Sequence, residues 1–122
     1  MKINRFEDIE IWKDARILNK EIYFLCKRLR DKGEYILSDQ IKRCSISIMA
    51  NVAEGFGRGT NKEFKRFLFI SKASASELSS HLYIALDVDV IDRVLFDDLY
   101  YKIELIQKKL SSFINYLRKN EN

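Results

Sequence analysis

The segment 40–59 reads QIKRCSISIMANVAEGFGRG, and its residue pattern decides the fold. At about 100° per residue, a helix through it carries two apolar faces and one wholly polar stripe. The first apolar face holds Leu37, Ile41, Cys44, Ile48 and Val52. The second holds Ile46, Met49, Ala53 and Phe56, and the polar stripe holds Gln40, Arg43, Ser47, Asn51 and Glu54. Because a lone amphipathic helix needs one apolar face, two faces predict two packing partners.

The composition favours an all-α domain. The 122 residues include no proline and only four glycines, so little interrupts helix. A chain of this length fits one domain and can bury roughly two-thirds of its unfolded surface. Apolar residues recur at spacings of three and four, which predicts helices at 6–31, 38–55, 61–86 and 93–118. Short connections between four helices predict a single up-down-up-down antiparallel bundle over residues 1–122.

Candidate capping residues precede each predicted helix. Asn4 and Ser38 are the candidate N-caps of the first two helices, and Asp92 is that of the fourth. Thr60 and Glu63 have the spacing of a capping box and start the third helix.

The glycine-rich turn superficially resembles a phosphate-binding loop, because Gly55, Gly57 and Gly59 alternate with other residues. Thr60, however, stands where the last glycine of GxGxxG belongs, and a helix precedes the turn where a strand is needed. Helix termination and a tight turn explain these glycines, and nucleotide binding is not predicted.

Positive charge is concentrated around this turn. The chain has a net charge of +4, yet residues 42–72 alone carry seven basic and two acidic side chains, an excess of five. The candidate nucleic-acid-binding residues are Lys42, Arg43, Arg58, Lys62, Lys65, Arg66 and Lys72. A phosphate-bearing partner fits such a surface. A solvated basic surface without a partner is the alternative interpretation.

Enzyme chemistry is not predicted. A di-iron bundle needs two Glu-x-x-His pairs, whereas the chain has one histidine, His81, four residues after Glu77. HEPN-type helical RNases place an arginine five or seven residues before the catalytic histidine, and serines occupy both positions here. We therefore predict no catalytic residue, no cofactor and no metal site.

The sequence predicts a soluble, cytoplasmic protein without membrane association. Its first residues carry acidic side chains and no apolar signal region, and no apolar run approaches the ~18 residues of a membrane span. Cys26 and Cys44 lack CxxC spacing, so both are expected to fill the core in a reducing compartment.

The polar stripe of the second helix has two interpretations. It either lines a groove or pore that meets a ligand, or it hydrogen-bonds to the polar edge of the third helix and fixes the register. That edge carries Glu63, Arg66, Ser74, Glu77 and His81.

A family resemblance covers nearly the whole chain. The runs QIKR at 40–43 and SIMANVAEG at 47–55 resemble the hallmark of four-helix bundle proteins encoded in intervening sequences of bacterial 23S ribosomal RNA genes. FEDI at 6–9 and EFKRFL at 63–68 support the match. The polar residues of the motif are Gln40, Ser47, Asn51, Glu54, Ser74 and Glu77. The resemblance implies a homopentamer and kinship with the accessory protein of diversity-generating retroelements, a basic barrel that binds reverse transcriptase and nucleic acid.

These observations predict a non-enzymatic, ring-shaped homo-oligomeric scaffold, which the resemblance implies is a pentamer. It is expected to bind RNA, a ribonucleoprotein or another nucleic-acid-processing protein through the basic surface around the turn between the second and third helices. The expected subunit interface holds Ile46, Met49, Ala53, Phe56, Phe69 and Ile70. The alternative is a protein-binding adaptor without a nucleic-acid role.

Overall fold

The computed structural model describes residues 2–121, which form four α-helices preceded by a short 3-10 helix, Phe6–Asp8. The α-helices are α1 (Glu10–Asp31), α2 (Tyr35–Gly57), α3 (Asn61–Asp87) and α4 (Arg93–Lys119). No strand occurs within residues 2–121, so the all-α prediction is confirmed. Met1 and Asn122, which the predicted domain includes, lie outside the described residues.

Successive helices pack against one another, and α1 also packs against α4. Ion pairs show the register of α1 on α4. Lys109 Nζ lies 2.7 Å from Asp14 Oδ2, and Lys102 Nζ lies 2.6 Å from Glu21 Oε1. Residue numbers rise on one helix as they fall on the other, so these two helices run in opposite chain directions.

The core lies between the four helices and is built from the predicted apolar seams. The first apolar face of α2 is buried along its whole length. The largest fully buried side chains are Leu18, Ile22, Leu29, Ile41, Ile48, Val52, Leu68, Leu78, Leu82, Leu99, Ile103 and Leu110. Burying such a side chain contributes roughly 1.5–3 kcal/mol relative to its exposure. No helix within residues 2–121 is long and apolar enough to cross a membrane.

Two predicted helix starts are wrong. The backbone is extended at Ile9, which is buried in the core, so the chain forms a 3-10 helix and then α1 rather than one helix capped by Asn4. The second helix begins at Tyr35, ahead of the predicted cap Ser38. Ser38 is fully buried, and its hydroxyl donates to the carbonyl oxygen of Cys26 at 3.3 Å. It therefore joins α2 to α1 instead of capping α2.

The other two predicted caps are confirmed. The backbone amide of Glu63 donates to Thr60 Oγ1 at 3.2 Å, and the amide of Leu95 donates to Asp92 Oδ1 at 2.9 Å. Each bond satisfies a donor that the helix cannot pair internally.

The glycines at the end of α2 have different roles. Gly59 has a φ of 87° and makes the turn, whereas α2 continues through Gly55 and ends at Gly57. A Cβ built on Gly55 would lie 2.7 Å from Phe67 Cβ and 3.2 Å from the Phe64 carbonyl oxygen. Helix termination is therefore the wrong explanation for Gly55, which instead lets α3 approach α2 closely.

Candidate functional site

The turn between α2 and α3 presents three exposed basic residues, Arg58, Lys62 and Arg66, which we call the turn cluster. The Arg58 and Arg66 guanidinium carbons lie 4.8 and 4.5 Å from the centre of the Phe67 ring. Arg58, just after α2, pairs with Glu54 of α2 at 3.0 Å, and Arg66 pairs with Glu63 on α3 at 3.1 Å. The Arg66 hydrogen bond lowers the pKa of Glu63. Because exposed ion pairs contribute little net free energy, a phosphate group can replace these carboxylates.

The predicted basic residues of α2 are not all near the turn. Arg43 lies about 22 Å along the helix from Arg58, at 1.5 Å per residue. Lys42 is directed towards α1, where its Nζ lies 4.6 Å from the centre of the Tyr23 ring. These two side chains therefore belong to another part of the surface.

Two predicted basic residues of α3 also lie apart from the turn cluster. Lys65 is half-buried, and its Nζ lies 2.6 Å from Glu121 Oε2 beyond the end of α4. Lys72 lies about 15 Å along α3 from Lys62, again at 1.5 Å per residue. The structure thus brings three of the seven predicted residues together as an exposed group at the turn.

The centre of the polar stripe forms a hydrogen-bonded network between α2 and α3. The Ser47 and Ser74 hydroxyl oxygens are 2.8 Å apart. Asn51 Nδ2 donates to the carbonyl and hydroxyl oxygens of Ser47, both at 2.9 Å. Ser71 Oγ donates to the Ile48 carbonyl oxygen at 2.9 Å. These bonds are the contacts that the register interpretation expects.

The other polar residues of the family motif have different surroundings. Glu54 is exposed and pairs with Arg58, and Gln40 is half-buried on α2. Glu77 is exposed on α3 one turn before His81. The stripe therefore has a half-buried, internally bonded centre and ends that reach solvent.

Cys44 meets Glu77 and His81 between α2 and α3, a juxtaposition that sequence reasoning missed. One ligand-type atom from each side chain lies within 4.8 Å of the other two. Burial raises the pKa of the Cys44 thiol to about 12, and the charge of the Glu77 carboxylate adds to the effect. The available signal was the position of Cys44 beside the polar stripe, opposite the polar edge of α3.

The predicted interface residues separate into covered and exposed groups. Met49 and Phe56 pack partly against the protomer's own core, and the 3-10 helix packs against α2. Phe56 also lines a cavity with Ile3 of the N-terminal segment. The chain therefore covers part of the second apolar face itself.

Three predicted interface residues remain accessible. Ile46, Phe69 and Ile70 are between 39% and 44% exposed. Ile46 and Met49 border a groove between α1 and α2, together with Tyr23 and Phe24.

Comparison with known proteins places these features in a family. The family model described as 23S rRNA-intervening sequence protein matches residues 7–112. The chain belongs to this family. The match includes all the polar residues of the motif and the turn cluster. No curated protein matches the sequence significantly.

A solved structure supports the family assignment. It is the crystal structure of a protein of unknown function from the S23 ribosomal protein family of Bacteroides thetaiotaomicron. It aligns with a TM-score of 0.82 at 26% sequence identity, covering 85% of this chain and 97% of that chain. This member of the 23S rRNA-intervening sequence family thus shares its helical fold with the Bacteroides protein over most of the length of both chains.

Proposed function

We propose that the protein is a non-enzymatic scaffold that binds RNA or a ribonucleoprotein through the turn cluster, as a ring-shaped homo-oligomer of up-down-up-down bundles. The observation that carries this proposal is the exposed group of three basic side chains, two of them arginines arranged around Phe67. Arginine forms paired hydrogen bonds with phosphate, and aromatic contact orients its guanidinium plane.

Charge and family membership support an RNA partner. The +5 excess in residues 42–72 exceeds the net charge of the whole chain. Each subunit of a ring would add another turn cluster, and linked phosphate contacts strengthen binding steeply. Catalysis has no part in this function.

Exposed apolar residues support the assembly. Ile46, Phe69 and Ile70 lie on α2 and α3 and are accessible in the protomer. Burial of such side chains between subunits is favourable by roughly 25 cal/mol per Å². The ion pairs between α1 and α4 show that these two helices run in opposite chain directions, which supports the up-down-up-down arrangement of each subunit.

Fluorescence anisotropy with a labelled single-stranded RNA tests the binding. Replacing the turn cluster with glutamine, R58Q/K62Q/R66Q, is expected to weaken binding and lower the salt dependence. With about 0.7 counterions released per phosphate contact, the slope should fall by about two. A charge-matched control, K13Q/K20Q/K27Q, changes three exposed residues of α1. Equal losses of RNA affinity in both variants, or an affinity that does not depend on the salt concentration, would contradict the proposal and favour the adaptor function.

Light scattering coupled to gel filtration tests the assembly. We expect a mass of several 14.5 kDa chains, five for a pentamer. Phe69→Glu should dissociate the ring, whereas Ile36→Glu, at a highly exposed position outside the proposed interface, should not. A monomeric wild-type protein would exclude the ring.

A further inference from the structure

Cys44 on α2 and Glu77 and His81 on α3 bring a sulfur, an oxygen and a nitrogen atom within 4.8 Å of one another. We propose that these three side chains bind a divalent transition metal ion of the Zn²⁺ type. Thiolate, imidazole and carboxylate are the protein ligands that Zn²⁺ uses. The site would join α2 to α3 beside the Ser47–Ser74 hydrogen bond.

The spacing of the ligand atoms fits this ion. Zn²⁺ forms bonds of about 2.0–2.3 Å in tetrahedral geometry, so its ligand atoms lie about 3.3–3.7 Å apart. Glu77 Oε2 and His81 Nε2 are already 3.4 Å apart. Residues four apart lie on the same side of a helix one turn from each other, as two histidines do in the HExxH zinc motif. The Cys44 sulfur lies within 4.8 Å of both atoms, so an approach of at most about 1.5 Å completes the set.

An unpaired ring nitrogen supports a ligand at this position. His81 Nε2 is buried and forms no hydrogen bond with any residue in the range 2–121, since its contact with Glu77 lacks hydrogen-bonding geometry. Buried polar atoms are normally paired. A metal ion would use the nitrogen lone pair directly, and the thiol proton would pass to solvent as the sulfur becomes a thiolate ligand.

The surroundings leave one coordination position for water. Cys44 is buried, whereas the Glu77 side chain is 54% exposed, so the cluster has a protein side and a solvent side. Three protein ligands with one open position are the arrangement that Zn²⁺ adopts in sites accessible to solvent. The sulfur and nitrogen ligands disfavour Mg²⁺ and Ca²⁺, which prefer oxygen ligands.

Titration of the untagged, metal-free chain with Co²⁺ tests the proposal, because a cobalt–thiolate bond gives a charge-transfer absorption band. We expect one ion per chain, displacement by Zn²⁺ and no competition from Mg²⁺. Cys44→Ser should abolish the band. Cys26→Ser is the matched control, since Cys26 is the other buried cysteine and lies on α1.

Glu77→Gln provides a second test that does not depend on changing the core, because Glu77 is exposed. It should weaken binding by at least the 10–100-fold typical of changes around metal ligands. Circular dichroism checks that each variant is folded. Absence of the band in the wild type, or its persistence in folded Cys44→Ser, overturns the proposal. Unchanged affinity in Glu77→Gln shows that Glu77 is not a ligand, and it overturns the three-ligand site.

Discussion

Gly55 of α2 lies against Phe67 of α3 so closely that a Cβ on the glycine would come within 2.7 Å of the Phe67 Cβ. Both contacting atoms would belong to side chains held on rigid helices, so neither could move without shifting its backbone. The absence of a side chain at position 55 therefore sets how closely the two helices approach at the turn.

Gly55→Ala is expected to lower the free energy of unfolding by about 1–3 kcal/mol, the range for overpacking a core. Gly57→Ala is the matched control, because nothing lies within 4 Å of a Cβ at that position. Alanine favours helix over glycine, so the control should be neutral or stabilising by up to about 1 kcal/mol. Urea denaturation measures both. A destabilised Gly57→Ala or an unaffected Gly55→Ala would contradict the close-packing explanation.

Ser47→Ala and Ser74→Ala should each destabilise the protein by about 0.5–1.5 kcal/mol, since each removes the hydrogen bond between the two hydroxyl groups across the helix interface. The double variant should cost less than the sum of the single variants. A double-mutant cycle based on denaturant unfolding measures this coupling. Strict additivity would show that the two hydroxyl groups do not act together.

The ion pairs between α1 and α4 predict weaker stability at high pH. Hydrogen bonding to Asp14 raises the pKa of Lys109 above its ordinary value of 10.5. A lysine whose pKa is higher in the folded than in the unfolded state stabilises the folded protein fully at pH values below the unfolded pKa. This stabilisation is lost as the pH rises through the folded pKa. The Lys109 side chain is 38% exposed, so the loss should be under about 1 kcal/mol.

Unfolding of Lys109→Met compared with the wild type between neutral pH and pH values above 10.5 tests this dependence. The variant should lose less stability across that range. Lys108→Met removes the neighbouring exposed lysine and should follow the wild-type curve. Parallel curves for all three proteins would show that the Lys109 pairs do not contribute.

Both cysteines should resist alkylation in the folded, metal-free protein. Burial raises the pKa of Cys26 and raises that of Cys44 to about 12. At pH 8 only about one Cys44 thiol in ten thousand is then the reactive thiolate. Mass spectrometry after iodoacetamide treatment should find no modification in buffer and two modifications in urea. Rapid labelling of Cys44 in buffer would disprove its burial.

The fold was largely predictable because helical periodicity reports burial directly. The predicted seam from Ile41 to Val52 is buried in the structure. Predictions from single residues were weaker, because one residue type suits several environments. Ser38 is a good capping residue, yet its hydroxyl bonds the Cys26 carbonyl, and that choice depends on the packing of α1 against α2.

The candidate site was less predictable because it depends on register between helices. Lys42 and Arg58 are close in sequence, but the rise of a helix separates them by about 24 Å. Conversely, Cys44 and His81 are distant in sequence and meet because α2 packs on α3. The first distance follows from the rise along one helix. The second cannot be read from wheel positions on either helix, since it follows from how α2 and α3 align.

The order of helix contacts has a consequence for how the chain acquires its structure. Most interhelical packing joins helices that are adjacent in sequence, and the interface between α1 and α4 is smaller than any of these. Chains dominated by local contacts fold quickly because little loop-closure entropy opposes them. During synthesis, α1, α2 and α3 can associate before α4 leaves the ribosome. We therefore expect contacts between neighbouring helices to form first, and the contacts between α1 and α4, which are the most distant in sequence, to form last.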